Sequence, residues 1–322
     1  MSIRIRPARL DDTNAISELL RSRIKRWQRF TEAGAVEDCN YAALKISERW
    51  LHGGAWMSVE TAAIYLSQIL VGAGLAIVAE RKGRIIGYLE AFRSLEQEPF
   101  GDHWGISSFI VRKDAASSNT IERDLLDHLR QFAAEEQPAR ILITGIHPVA
   151  ENWYEQMGFS RISVARRYRL PTQGGRVFYR AMAQEDEDPA QIAGWEMAIG
   201  RFSNSRSEWE RWWQKKWDVL VVQDDLRTDR LQLSIAGQQA LVCARQEAYH
   251  RQCVDISLWT MKPLSIQLII ALREWAYRQH YREIQMLIDE GYQNLLDENT
   301  ESDGYFLETY ALKDGDGHMQ RA

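Results

Sequence analysis

The chain has 322 residues, 45% of them hydrophobic and 26% charged, with a formal net charge of −5 at pH 7. That length supports two cores of ordinary size, and the excess of acid excludes a protein whose main task is to cover nucleic-acid phosphates. The longest nearly apolar run, Leu66 to Ala79, holds about 14 residues where a membrane-spanning helix needs about 20, so no span is expected.

The opening "IRIRPARLDD" reads as a strand ending at Pro7, then an Asp-capped amphipathic helix with Ile16, Leu19 and Leu20 on one side. Its arginines lead into no apolar core and no small-residue cleavage site, so it is not read as a secretory leader and a cytoplasmic location is expected. The basic run "RSRIKRWQRF" reads as a solvated helix face with Ile24 and Trp27 turned inward. The helical region breaks at Gly53-Gly54 and restarts at Ser58, where Ser58 to Thr61 has the form of a helix N-terminus.

"GLAIVAERKGRIIGYLEAFRS" is a hairpin signal, two β-rich runs joined through charged residues and Gly83. "HWGISSFIV" follows as a strand, "SSNTIERDLLDHLRQF" as a helix and "ARILITGI" as an apolar strand. "AENWYEQMGF" is a short helix stopped by Gly158, and "RISVARRYRLP" is a further strand. The alternation implies a partly parallel mixed sheet, an α/β class of the α+β mixed kind. "PTQGGR" (171–176) has the composition of a linker, which divides the chain into residues 1–172 and 176–322.

The second part repeats the order in outline. "RVFYRAMA" is a strand, "DEDPAQIAGWEMAIGRF" and "SRSEWERWWQKKW" are helices, and the run from Arg230 to Trp259 supplies strands broken at Gly237 and at a polar turn. A long helix, a strand, a short helix and a terminal strand complete it, so a weak structural repeat is expected. Cys39, Cys243 and Cys253 form no CxxC pair and are read as buried thiols, with neither a disulfide framework nor a metal site expected.

The segment "AENWYEQMGF" is similar to the A-x-x-L-Y-E-K-L-G-F segment of the GNAT superfamily of acyl-CoA N-acyltransferases, and "RIIGYLEAF" is similar to that family's third strand. The whole chain resembles a tandem GNAT protein with a divergent second copy. The resemblance implies transfer of an acyl group from acetyl-CoA or another acyl-CoA to the amine of a small molecule or peptide. It leaves room for a homodimer and assigns no nucleic-acid or membrane partner. The alternative is a GNAT-fold protein that binds a small ligand or protein partner without catalysis.

The family holds the pyrophosphate on a Q/R-x-x-G-x-G/A turn. Here Ser117, Thr120 and Glu122 stand at those positions, and Asn119 with Glu122 has capping-box spacing. A carboxylate about 5 Å from a pyrophosphate opposes it by several kcal/mol at an effective dielectric near 20. In the second copy Pro263 stands where strand passes to helix, the loop is missing, and no CoA binding is expected.

The residues that the resemblance places on the cofactor are Phe109, Ile110 and Val111, then Ser117, Asn119, Thr120, Ile121 and Glu122, then Asn152. Tyr154 matches the family's general acid, against the plain reading of Trp153, Tyr154 and Met157 as a packing face. The resemblance makes Glu90 the candidate base, against the plain reading of an exposed strand carboxylate, and has His147 contact the cofactor or serve as a base, against the plain reading of a loop histidine before Pro148. Trp50, His52 and Trp56 flank the paired glycines and suit an amine held against aromatic faces, or else an interhelical turn packed by tryptophan.

Overall fold

Alternation of apolar residues builds the strands, and glycine or asparagine chemistry ends them. In the computed structural model β1 (Arg4–Pro7) ends at the expected proline, and α1 (Thr13–Arg21) buries Ile16 and Leu19. Asp12 precedes α1 without capping it, because its carboxylate is taken by Arg6 at 2.7 and 2.9 Å. The basic run does not continue the helix. Gln28–Phe30 (β2) pairs with Val36–Asp38 (β3) as a small hairpin, and Ile24 and Trp27 pack on the core beside it. The β-branched and aromatic residues there outweigh a helical charge pattern. The structure describes residues 3–31, 35–112, 118–135, 140–145, 152–175, 177–220 and 226–312.

After α2 (Ile46–Trp50) the chain turns at Gly53-Gly54, and α3 (Val59–Gln68) starts where expected, with Ser58 Oγ accepting the Thr61 N–H at 3.3 Å. β4 (Leu75–Arg81) and β5 (Arg84–Leu95) form the expected hairpin, its turn made by Lys82 and Gly83 with φ of 53° and 73°. Two positive-φ residues match the twist of the flanking strands. Then come β6 (Asp102–Val111), α4 (Ser118–Glu135), β7 (Arg140–Thr144), α5 (Asn152–Gln156) and β8 (Phe159–Pro171).

The second part holds β9 (Arg180–Ala183), β10 (Glu196–Ile199), α6 (Ser205–Glu208) running into a wider turn over Trp209–Trp213, and α7 (Lys216–Leu220). β11 (Thr228–Ile235), β12 (Gln238–Gln246), β13 (Cys253–Thr260), α8 (Ile266–Arg278), β14 (Glu283–Asp289) and β15 (Glu301–Leu312) complete it. The helix expected over "DEDPAQIAGWEMAIGRF" is only a short 3-10 turn, Pro189–Ile192. Glu196–Ile199 of the remainder is β10, and the rest is loop.

The strands make one 13-stranded sheet in the order β1-β4-β5-β6-β7-β15-β8-β14-β10-β13-β12-β11-β9. It runs unbroken across the 172–175 stretch, because β15 returns from the end of the chain to lie between β7 and β8, while β8 pairs on its other side with β14. The cores nonetheless separate largely by sequence. Residues from Ile77 to Phe159 pack on α4 and α5, and those from Ala198 to Ile288 pack on α8. Tyr310 and Leu312 of β15 reach back to the first of these clusters, and Trp217 of α7 joins the core under α1 and α3.

The two halves differ at one decisive place. β6 and β7 run parallel with His103 to Ile106 opposite Arg140 to Ile143, and beyond that register they diverge. In the second half β13 and β14 are likewise parallel at Cys253–Ile256, but β10 enters the divergence and pairs with β13 and with Ile288 of β14. Gly200, with φ of 85°, makes this entry feasible, since a Cβ there would lie 2.8 Å from the Ile256 carbonyl. The second half closes with its own backbone the gap that, among the described residues, the first half leaves open.

Candidate functional site

At the divergence of β6 and β7 lies a cavity of about 280 Å³, walled by Trp50, Trp56, Tyr65, Glu90, Ser107 and Ser108, by Thr144 and Gly145, and by Ser203, Glu208 and Arg211 from the second half. Strand alternation aims Tyr88 and Glu90 to the α1–α3 side of the sheet while Leu89 and Ala91 fill the α4 side. Opposite Glu90 the register slips. Glu90 faces Ser108 and Ala91 faces Ile106, so Ser107 is an extra residue in a β-bulge, a device that re-aims side chains beside sites.

Glu90 is 2% exposed and its carboxylate accepts four hydrogen bonds. Trp56 Nε1 donates at 2.8 Å, Tyr65 Oη at 2.9 Å, Tyr88 Oη at 2.9 Å and Ser107 Oγ at 2.5 Å. Burial, and then the charge of Glu90, raises both tyrosines well above the ordinary phenol value, so they remain donors.

Glu208 is a second buried carboxyl on the same cavity, accepting from Trp212 Nε1 at 2.8 Å and Ser203 Oγ at 3.2 Å. Burial raises its pKa, with the charges of Arg211 and Arg245 opposing the shift. Arg211 reaches the cavity beside Gly54, where a Cβ would lie 3.2 Å from its guanidinium. The glycine pair in "LHGGAW" is thus where backbone yields space to an arginine about 157 positions away. The docking of α6 that brings these groups is specific. Asn204 caps it through the Ser207 N–H at 2.7 Å and donates to the Phe92 carbonyl at 2.7 Å, over Gly105, where any Cβ would collide with it.

The structure brings together Trp50, Trp56 and Glu90 from the expected set. It places His52 elsewhere. Nε2 of His52 lies 2.8 Å from the Gln28 carbonyl and its ring stands edge-on to Trp27, so it packs on the β2–β3 hairpin and does not line the cavity.

Tyr154 lies in the cluster that Leu89 and Phe109 enter, on the sheet face opposite Glu90, stacked on Tyr310 at 4.0 Å and 3° and edge-on to Trp153. Ile110 and Val111 are buried on the two faces of β6, and Ile121 is buried under α4. Asn119 and Thr120 are exposed in the first turn of α4. Because Ser118 is already helical, Asn119 stands inside the helix and not before it. Glu122 is buried and its Oε2 accepts the Trp153 indole N–H at 2.7 Å, which ties α4 to α5. His147 and Ser117 lie outside the described residues. Asn152 opens α5.

Tyr65, Tyr88, Ser107, Glu208 and Arg211 were not singled out in the sequence. The alternation of Tyr88 with Glu90 was a readable signal, but Glu208 and Arg211 sit in a tryptophan-rich helix whose spacing reads as packing.

No family model matches the chain, and no curated protein matches it. Solved structures do match. A GCN5-related N-acetyltransferase from Anabaena variabilis superposes with a TM-score of 0.62 over 96% of this chain and 72% of that one, at 11% identity. The chain has the GNAT fold. A GCN5-related N-acetyltransferase from Kribbella flavida matches with a TM-score of 0.53, 12% identity, and 96% and 71% of the two chains covered. Eis1 from Mycobacterium abscessus matches with 0.53, 12%, and 96% and 73%. The fold here is carried by one mixed sheet that runs through both halves of the chain, and at these identities the likeness is one of fold. No helix among the described residues is long and apolar enough to cross a membrane.

Proposed function

We propose that the chain transfers an acyl group from acetyl-CoA or another acyl-CoA to the amine of a small molecule or peptide, with the chemistry in the N-terminal half. The observation that carries this reading is the Glu90 carboxylate, buried with four donors at the point where β6 and β7 part.

The gap is open in the first half and filled by β10 in the second, so only one cofactor passage is proposed. The β6 segment Phe109 to Val111 and the exposed first turn of α4 would hold acyl-CoA, which supplies the acyl group as a thioester. The dipole of a helix start suits an anion even without glycine, and burial lowers the Arg23 pKa while the charge of Glu122 opposes that shift.

The acceptor amine would enter over Trp50 and Trp56. Glu90, fixed by its four donors, takes up the amine proton directly or through one water, while Glu208 gives the opposite wall a second carboxyl. Tyr154 packs on the face of the sheet opposite Glu90, and in this reading acyl-CoA passing between β6 and β7 would bring its sulfur to that face. The Tyr154 phenol would protonate the departing thiolate. The backbone of the Ser107 bulge would face the thioester carbonyl.

Titration calorimetry with acetyl-CoA, followed by thiol detection of released CoA against a panel of primary amines, tests the reading. Micromolar binding and amine-dependent release are expected. Absence of heat at millimolar ligand would leave a GNAT-fold binding protein without acyl transfer.

A further inference from the structure

We propose that His250, Cys253 and Glu283 form a zinc site, distinct from the acyl-transfer cavity. Their ligand atoms lie within 4.8 Å of one another. His250 and Cys253 are three apart, and the turn between them is closed by the Cys253 N–H on the His250 carbonyl at 2.7 Å, which directs both side chains to one side. Such a two-residue spacer is typical of structural zinc ligands. Glu283 opens β14 directly opposite Cys253 in the parallel register of β13 and β14. Two independent features of the backbone, the turn and the strand register, converge on one point.

The donor set suits zinc better than a hard cation. His250 Nδ1 and Glu283 Oε2 are 3.5 Å apart, the length of one edge of a tetrahedron whose metal–ligand distances are about 2.0–2.3 Å, and the wider separations in the set, up to 4.8 Å, have to close by side-chain rotation as the ion binds. Cys253 is fully buried behind the strand, whereas the His250 and Glu283 side chains are 41% and 38% exposed, so an ion enters from their side and keeps water in its fourth position. A thiol beside an imidazole and one carboxylate selects a borderline-soft ion over magnesium or calcium. On binding, the Cys253 thiol gives its proton to solvent and the sulfur lone pair goes to the metal.

The site would brace the turn that precedes β13. That turn carries Tyr249, whose ring stacks on Phe30 of the β2–β3 hairpin, so the metal would stiffen a contact between the two halves.

The test uses the full chain, freed of metal by a chelator. Calorimetry with zinc chloride should give one site with an affinity of about 10 μM or tighter at neutral pH, with a raised melting temperature. Cobalt chloride should give a thiolate-to-metal charge-transfer absorption. Cys253→Ser should abolish that absorption, and His250→Ala, at a half-exposed position that leaves the core intact, should weaken zinc binding about 100-fold. Cys39→Ser should change neither. No zinc binding below millimolar, or binding in His250→Ala equal to that of the parent, would overturn the proposal.

Discussion

Arg201 of the second half and Glu96 of the first form an ion pair with side chains only 6% and 0% exposed, and Nε2 of His103 lies 3.6 Å from the same carboxylate. Burial alone would push the Glu96 carboxyl up, but Arg201 and the Ser205 N–H hold it below the usual carboxylate range. Burial keeps His103 below the ordinary imidazole value, with the charge of Glu96 opposing.

Both shifts make the fold lose stability in acid. Below about pH 6.5 the unfolded chain takes up a proton on His103 that the folded chain refuses. Below about pH 4.5 the unfolded chain likewise protonates Glu96 more readily, and this contribution is lost as pH falls through the lower folded value. Denaturant unfolding at pH 7.5, 6 and 5 should show falling stability, and His103→Gln should flatten the decline between pH 7.5 and 5. Arg201→Met, which strands a buried carboxylate, should cost about 3–5 kcal/mol. Stability independent of pH over this range would contradict the assignment.

Glu90→Gln is expected to lower kcat by about 10²–10⁴ as a lost general base. It also replaces an oxygen that accepts hydroxyl and indole donors with an amide N–H₂ facing them, at a cost of about 1–3 kcal/mol. Tyr154→Phe keeps the ring stacked on Tyr310 and should lower kcat by about 10-fold to 10³-fold with little change in acyl-CoA binding. An unchanged kcat would make Tyr154 a packing residue.

Most of the first half was legible because its signals are local: the Lys82-Gly83 turn, the Ser58 cap and the Gly158 stop each fix a boundary. What was not legible depends on distant partners. Nothing in "ESDGYFLETYAL" says that it pairs with β7 and β8, more than 130 positions back. Nothing in "EMAI" says that it wedges between β13 and β14, and helix formers around it favoured the wrong element. The site divided the same way. Glu90 and Trp56 could be named singly, while their hydrogen bond across 34 positions required the fold.

Glu208→Gln should stabilise the chain while impairing it. A carboxyl whose folded pKa is raised favours its protonated form, so its stabilising contribution is lost as pH rises through that value, and above it the core holds a charge. Glutamine can still accept from Trp212 and Ser203 without that charge. Each kcal/mol recovered should raise the melting temperature by about 2–4 °C. If Glu208 also receives the cationic acceptor, the KM for the amine should rise in the same variant, and the acidic limb of the rate profile should shift.

Gly54→Ala tests the reach of Arg211 into the site. The residue has φ of 78°, where alanine is strained, and its methyl would lie 3.2 Å from the guanidinium. A loss of about 1–3 kcal/mol is expected from the backbone alone. Displacement of Arg211 should add a change in acceptor KM that Gly83→Ala, strained but with nothing near its Cβ, does not reproduce.

The remaining question is whether the glycine-free start of α4 admits a pyrophosphate. Glu122 is fixed by the Trp153 indole at 2.7 Å, so its charge cannot swing away without breaking the tie between α4 and α5. Glu122→Gln preserves an oxygen for that indole and removes the charge. At about 5 Å from an anion and an effective dielectric near 20 the charge costs about 3 kcal/mol. Arg23 nearby offsets part of this, so a gain of about tenfold or more in affinity for CoA is expected. Dephospho-CoA should gain equally, because the relieved contact is to the pyrophosphate and not to the 3′-phosphate. Melting temperature should change little, in contrast to Trp153→Phe, which leaves the Glu122 carboxylate without its indole donor. Titration calorimetry of parent and variant with both ligands decides the matter: equal affinities would show that the charge of Glu122 is no obstacle at this turn.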